Sequence, residues 1–241
     1  MSIGKLREII KNSDNIVFFG GAGVSTESNI PDFRSATGLY QEKNTFSYSP
    51  EEILSHSFFV GNTKEFYDFY KSKMIFKDAK PNDAHISLAK LEELGKLKAV
   101  ITQNIDGLHQ AAGSKEVLEL HGSVHRNYCM KCHKFFDLDF IIKSNDLPEC
   151  SCGGIVKPDV VLYEESLDMD TLEKAVSFIK NCEVLIIGGT SLTVYPSAGL
   201  IQYYKGNSLI LINKSATQYD NRADIVITEK IGEVLKQAIQ S

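Results

Sequence analysis

The sequence predicts an α/β fold, a doubly wound parallel sheet that carries a smaller second lobe. Three observations carry this expectation. Short apolar runs alternate with segments of helical period, the first run ends in a glycine turn, and two stretches break the alternation, one rich in aromatic residues and one holding four of the five cysteines.

The chain opens on a short amphipathic helix with Leu6, Ile9 and Ile10 on one face. "NIVFFGGAGVS" then reads as a buried strand running into a glycine turn, which is how an α/β nucleotide-binding unit begins. Residues 97–101, 117–120, 160–163, 184–187, 209–212 and 224–227 are further short apolar runs, the pattern of strands covered on both faces. Helical periods separate several of them. "NDAHISLAKLEELG" has a capping residue, Leu88, Leu91 and Leu94 on one side, and a stop glycine. Leu172, Ala175, Val176 and Ile179 repeat the spacing, as do Ile231, Val234, Leu235 and Ile239.

The exceptions are residues 38–78, aromatic and helical in pattern, and 127–153, which contain the cysteine cluster. Both are expected to be insertions forming a small lobe, because a long structureless loop is unusual inside a compact domain. The large lobe would then comprise 1–37, 79–126 and 154–241, all within one functional unit of 241 residues. Ligands of such folds bind at the carboxyl ends of the strands, in a crevice that the small lobe would wall.

Composition narrows the class. Lys and Arg number 26 against 31 Asp and Glu, so the net charge of −5 lacks the basic footprint of a dedicated nucleic-acid binder. No apolar run approaches membrane-spanning length, and no signal-peptide pattern precedes the first helix. An odd cysteine count, with four gathered in one segment, reads as a metal site in a reducing compartment, so a cytoplasmic location is expected.

In "GGAGVS", Gly21 and Gly23 fit a phosphate-binding turn whose N–H groups would face an anion, but Thr26 stands where G-x-G-x-x-G needs its third glycine. No acidic residue ends a second strand about twenty residues on, which disfavours an ordinary dehydrogenase. The next loop displays Asp32, Phe33 and Arg34, suited to a cover that stacks on a ring and contacts pyrophosphate. "ITQNIDGLH" brings Gln103, Asn104 and Asp106 to a strand end, and "LELHGS" brings His121 to the same edge, where an imidazole is the natural general base. Glycine turns with Thr190 and Ser191, and Asn213 after the next strand, complete a row of groups for phosphate and ribose.

Cys129-x2-Cys132 and Cys150-x-Cys152, seventeen residues apart, make a strong zinc signal. Four thiolates close the coordination shell, so the metal would be structural. The tight second spacing leaves His133 as a possible substitute ligand; otherwise His125 and His133 are expected to be bystanders. Cys182 reads as a buried core cysteine.

Together GAGVSTES, IPDFR, TQNIDGLH, LELHGS, the four cysteines, KPDVVLYEE, GTSL and LINKS resemble, in order and over nearly the whole chain, the sirtuin family of NAD-dependent protein lysine deacylases, bacterial type. The resemblance implies a Rossmann-like large domain, a small domain of zinc and helical modules, and a cleft that binds NAD and an acyl-lysine peptide. It implies that Ala22, Thr26, Phe33 and Arg34 line the NAD site, with Phe33 near the nicotinamide. Gln103, Asn104, Ile105 and Asp106 would surround the nicotinamide ribose, Ile105 and Asp106 holding the carboxamide. Thr190, Ser191 and Asn213 would meet the phosphates and adenosine, and Ile231 the adenine. His121, with Asn104, would be catalytic, and Val160 and Val161 would pair with the substrate peptide. In the family's mechanism the acyl oxygen attacks the ribose as nicotinamide leaves, and the histidine then activates a ribose hydroxyl; nicotinamide is a product and an expected inhibitor.

Departures include Asn29 where the family usually has glycine, Tyr163-Glu164-Glu165 for a common Phe-Gly-Glu, and Tyr70 where members preferring acidic acyl groups place Arg, three residues after the Tyr at 67. Without that cation, acetyl-lysine is the expected substrate. The alternatives are protein mono-ADP-ribosylation and a non-catalytic NAD-binding regulatory module; the intact Asn104, Asp106 and His121 set disfavours both.

Overall fold

The computed structural model describes residues 2–33, 38 and 47–240. Strands β1 (Ile16–Gly20), β2 (Leu97–Thr102), β3 (Val117–Glu119), β7 (Val184–Gly188), β8 (Ser208–Ile212) and β9 (Ile225–Ile227) form a parallel sheet in the order β3-β2-β1-β7-β8-β9. Order reverses between β1 and β7, so a crevice opens at the carboxyl ends of those two strands. Alternate residues feed opposite faces. Ile16 and Phe18 of β1 pack with α1 (Ser2–Asn12), α5 (Asp83–Glu93) and α9 (Ile231–Ile239), whereas Val17 and Phe19 pack with α8 (Met169–Asn181) and the 3-10 segment Ser197–Tyr203. Cys182 is buried on the second face. Asn82 caps α5, its side chain accepting from Ala84 N at 2.9 Å. Leu88 and Leu91 are buried there, but Leu94 is 56% exposed because it is the C-cap, beyond the last inward-facing turn.

A second, antiparallel sheet has the order β5-β4-β6, with β4 at Gly122–Cys129, β5 at Phe135–Phe136 and β6 at Val156–Val160. Its core is continuous with that of α2 (Pro50–Ile53), α3 (His56–Gly61) and α4 (Thr63–Lys73): Phe59, Phe66, Tyr67 and Tyr70 pack with Val124, Val156, Val160 and Ile141 of α7 (Leu138–Lys143). The two insertions thus share one apolar interior. β4 crosses the boundary expected at 126/127, and β6 lies beyond that expected at 153/154.

One expected strand is displaced. The run 160–163 is not a member of the parallel sheet; the strand ends at Val160, Val161 N donates to His121 O at 3.0 Å, and Tyr163 forms an isolated bridge with Ser55. Val160 and Leu162 are buried at the seam between the lobes, whereas Tyr163 is 40% exposed. Tyr67 and Tyr70 are likewise core residues: the Tyr67 hydroxyl bonds to the Val156 carbonyl, and both rings are almost fully buried among aromatic neighbours.

At the seam, Gly122 has φ +76°, and a Cβ there would lie 1.9 Å from the Asp159 carbonyl oxygen. A left-handed backbone and a main-chain contact both demand glycine. Gly122→Ala is therefore expected to lower stability by about 3 kcal/mol or more. A urea titration followed by circular dichroism checks this; an unchanged midpoint contradicts it.

Candidate active site and metal centre

The two glycine turns meet at the switch point. Gly21 N donates to Gly188 O at 3.3 Å and Gly23 N to Gly189 O at 2.8 Å. The expectation that these N–H groups face an anion is thus corrected: they join the turns after β1 and β7. A Cβ at Gly23 would lie 2.7 Å from Gly189 Cα, and one at Gly21 would lie 2.9 Å from Thr190 Cβ. Small residues let the two turns close and keep the crevice floor open.

The crevice has a volume of about 1400 Å³ and is lined by Ala22, Thr26, Phe33, Gln103, Asn104, Ile105, Asp106, His121, Val160, Val161, Thr190, Ser191, Asn213 and Ile231. Every described residue singled out in the sequence for this site is therefore on one surface; Arg34 lies outside the described residues. The lining suits a dinucleotide. Gln103 Nε2 donates to Thr190 Oγ1 at 3.0 Å at the middle of the cleft, Asn213 follows β8, and apolar Ile212 and Ile231 lie beside it. Not every polar group points inward, since Thr26 Oγ1 donates to Gly23 O at 2.9 Å and Asn213 Nδ2 to Ser215 O at 2.8 Å.

At the other end, Ser25 organises the polar cluster. Its hydroxyl lies 2.7 Å from Asp106 Oδ2 and 3.0 Å from Asn104 Nδ2. A carboxylate only accepts, so Ser25 gives its single proton to Asp106 and receives one from Asn104. That sense fixes the Asn104 amide. Asp106 Oδ1 also accepts from Leu108 N at 2.9 Å, at the start of α6 (Leu108–Ala111), where helix-end N–H groups favour negative charge.

His121 is held on both nitrogens. Nδ1 lies 3.0 Å from Gln103 O, which can only accept, so Nδ1 carries the proton. Nε2 is then the acceptor, 3.1 Å from the Ser197 hydroxyl. Burial lowers the imidazole's proton affinity, outweighing the opposite effect of the Gln103 bond. The ring is a neutral base with its lone pair on Nε2. The sequence pattern does not point to Ser25 or Ser197: Ser25 stands inside GGAGVS, but nothing local to either serine states what its hydroxyl meets. His125, expected to be a bystander, lines the crevice and donates from Nε2 to Asp106 O at 3.1 Å.

His85 of α5 and His109 of α6 are both buried, with ring centroids 4.7 Å apart. Burial pushes His85 down, and pushes His109 down to about 3 with His85 adding to the effect. Beside the crevice, burial of Glu165 opposes ionisation, but the Leu162 N–H, His56 and Lys157 outweigh it and hold the carboxyl below its usual range.

The metal centre lies in the other sheet. Cys129, Cys132, Cys150 and Cys152 place their sulfurs within 4.8 Å of one another, the pairs 129–152 and 132–150 at 3.4 and 3.6 Å. Thiolates about 2.3 Å from a tetrahedral zinc are roughly 3.8 Å apart, so the residues fit that ion. Lys131 N and Cys132 N both point at Cys129 Sγ, and a Cβ on Gly154 would be 2.7 Å from it, which accommodates the short Cys150-x-Cys152 turn. His133 is not one of the four; it turns the first knuckle at φ 59° with its N–H on Cys129 O.

Fold and site together define a dinucleotide-binding α/β protein with a cysteine-ligated metal module. The sequence model of the Sir2 family matches residues 21–196, and the chain belongs to that family. It is similar to a protein of Clostridium acetobutylicum named NAD-dependent protein deacetylase, 66% identical over 239 residues and covering 98% of each chain. A Clostridium tetani protein of the same name is 68% identical over 232 residues, 95% of this chain and 94% of the relative. A solved Sir2 structure with p53 peptide and NAD+ matches with a TM-score of 0.87 at 37% identity, covering 99% of this chain and 98% of that one. Another, with deacetylated p53 peptide and 3'-O-acetyl-ADP-ribose, has a TM-score of 0.90 at 36% identity, again covering 99% and 98%. Among the described residues, no helix is long and apolar enough to cross a membrane.

Two outcomes follow from these centres. Metal analysis is expected to find one zinc per chain; Cys132→Ala should lose it and lower the melting temperature, while the Ser25–Asp106 cluster in the other lobe is left in place. Acid should destabilise the protein as pH falls below about 6.5, because the unfolded histidines take up protons that His85 and His109 refuse in the fold. A shallower loss of melting temperature between pH 6.5 and 5 in His109→Gln checks the sign; an unchanged slope counts against it.

Proposed function

We propose that this chain is an NAD-dependent protein lysine deacetylase, transferring the acetyl group from lysine to the ADP-ribose half of NAD with release of nicotinamide. The observation that carries the reading is the state of His121: Nδ1 protonated on Gln103 O, Nε2 free of a proton and facing Ser197 in the crevice that holds Asn104 and Asp106. The relatives' shared name and the Sir2 complexes with NAD+ and peptide support it.

When bound, NAD supplies an anomeric carbon whose bond to nicotinamide breaks and ribose hydroxyls that accept the acyl group. The chain's part is to hold and to deprotonate. Asp106, anchored by Ser25 and the α6 N-terminus, is assigned to the carboxamide with Ile105, and Asn104 and Gln103 to the adjoining ribose. Such groups are already oriented, so they need little reorganisation as charge develops. Phe33, Ala22 and Thr26 wall this half. Thr190, Ser191, Asn213 and Ile231 receive the phosphate and adenosine half. His121 takes a proton from a ribose hydroxyl at Nε2, displacing Ser197, while Nδ1 keeps its bond to Gln103 and the ring its orientation.

Val160 and Val161 are assigned to the substrate peptide. The N–H groups of Val161, Leu162 and Tyr163 donate to His121 O, Glu165 Oε2 and Leu54 O, and the carbonyls of Val160, Leu162 and Tyr163 accept from Lys157 Nζ, Glu165 N and His56 N, so an extended peptide here would be received at the Val161 carbonyl. Nicotinamide, as the leaving group, competes for the pocket it vacates. The mild negative charge favours protein over nucleic-acid partners, and a thiolate metal site fits the reducing cytoplasm.

Incubation with NAD and an acetyl-lysine peptide, following nicotinamide, deacetylated peptide and protein-bound ADP-ribose, tests the reading. Peptide-dependent nicotinamide release should match deacetylation. His121→Ala should lose deacetylation by about 100- to 10,000-fold while retaining part of nicotinamide exchange. In the native protein the acid limb of the rate should lie below pH 6.5, since burial lowers the base. Full deacetylation by the variant refutes the role of His121; protein-bound ADP-ribose without deacetylation selects mono-ADP-ribosylation, and NAD binding without turnover selects a regulatory module.

A further inference from the structure

The pairing of β4 with β6 contains an irregularity beside the crevice. Ser123 pairs with Asp159 and Asn127 with Pro158, so Val124, His125 and Arg126 stand between partners that are consecutive on β6. None of the three takes part in the main-chain register of the ladder, and each is used in another contact. Val124 N donates to Ile105 O at 3.0 Å, and His125 Nε2 to Asp106 O at 3.1 Å. Arg126 spans the seam, with Nη1 on Glu119 at 2.6 Å and Nε on Asp159 at 2.7 Å. Bulges re-aim side chains near functional sites, and this one is tied into both sheets by a forked guanidinium.

The contact with the Ile105–Gly107 turn is close. Gly107 has φ +72°, and a Cβ there would lie 2.7 Å from His125 Cδ2 and 2.8 Å from Nε2. The imidazole therefore lies against the bare Cα of Gly107 while its N–H engages the carbonyl immediately before it. Asp106 is thereby fixed at three points: its two carboxylate oxygens by Ser25 and Leu108 N, and its main-chain oxygen by His125. The third comes from the small sheet, whereas the other two come from the large lobe.

We infer that His125 is a positioning residue for the nicotinamide half of the crevice, setting the pose of Asp106 through its main-chain carbonyl rather than by touching substrate. The inference rests on the reading that Asp106 holds the carboxamide. Its consequence is selective: NAD and nicotinamide should sense His125, whereas the peptide, bound along Val160 and Val161, should not. Because the ring is exposed, the loss of its bond is worth a modest factor.

The test is steady-state kinetics on the full chain with NAD and acetyl-lysine peptide, with nicotinamide as inhibitor. His125→Ala should raise both the KM for NAD and the inhibition constant for nicotinamide by about three- to tenfold, leaving kcat at saturation and the peptide KM within experimental error. His125→Gln, which can still donate from an amide, should recover part of the loss. Gly107→Ala should produce the same NAD-side defect when His125 is present and a smaller one when it is replaced by glycine. Unchanged NAD and nicotinamide constants in His125→Ala, alongside raised constants in Asp106→Asn, overturn the inference while the reading of Asp106 stands. If Asp106→Asn changes neither constant, that reading falls and the inference with it. A uniform loss of kcat, peptide KM and melting temperature in His125→Ala also overturns it, since a general loosening has no preference for the nicotinamide side.

Discussion

The backbone contact between the turns after β1 and β7 is the constraint from which the crevice follows. Gly23 N reaches Gly189 O at 2.8 Å, and any side chain at either glycine would collide with the main chain opposite. Drawing the turns together at the point where strand order reverses places Ala22, Gln103, Thr190 and His121 around one opening. The next residues then fall into place: Ser25 follows the first turn and links Asn104 to Asp106.

The second lobe depends on a different force. Its helices and its three-stranded sheet come from separate stretches of the chain, and Phe66, Tyr67 and Tyr70 against Val124, Val156 and Val160 give them a common interior. A metal ion at the four cysteines would close the end of that sheet. The two lobes are joined where the chain crosses at Gly122 and Val161, and Arg126 braces the crossing from Glu119 to Asp159. His121, Val161 and the 124–126 bulge all sit at this crossing, which is why residues of both lobes reach the same few atoms.

Much of the large lobe was legible because burial on both faces of a parallel sheet leaves continuous apolar runs, as in IVFFG, VLIIG and LILI. Helical spacing marked α5, α8 and α9 for the same reason. The run 160–163 misled because apolarity reports burial and not the kind of neighbour: Val160 and Leu162 are covered at a seam, while the strand runs through the more polar VKPDV. Leu94 continued the helical period one step past the turn that ended the helix. Tyr67 is followed by Tyr70 rather than by the arginine an acidic acyl group would call for, and aromatic packing holds both in the core.

By itself the sequence determined the alternating fold, the small residues at the switch point, the cysteine quartet, and which polar side chains stand at strand ends. Each of these is encoded by local pattern: periodicity, backbone freedom and the spacing of like ligands. The tertiary structure alone decided which atom each polar group meets. It assigned the Gly21 and Gly23 N–H groups to the facing turn, the His121 lone pair to Nε2, and His125 to the carbonyl of Asp106. Hydrogen-bond partners such as Ser197 and His121 lie far apart in the chain, and only the packing of the parallel sheet against its flanking segments within the large lobe brings them within reach.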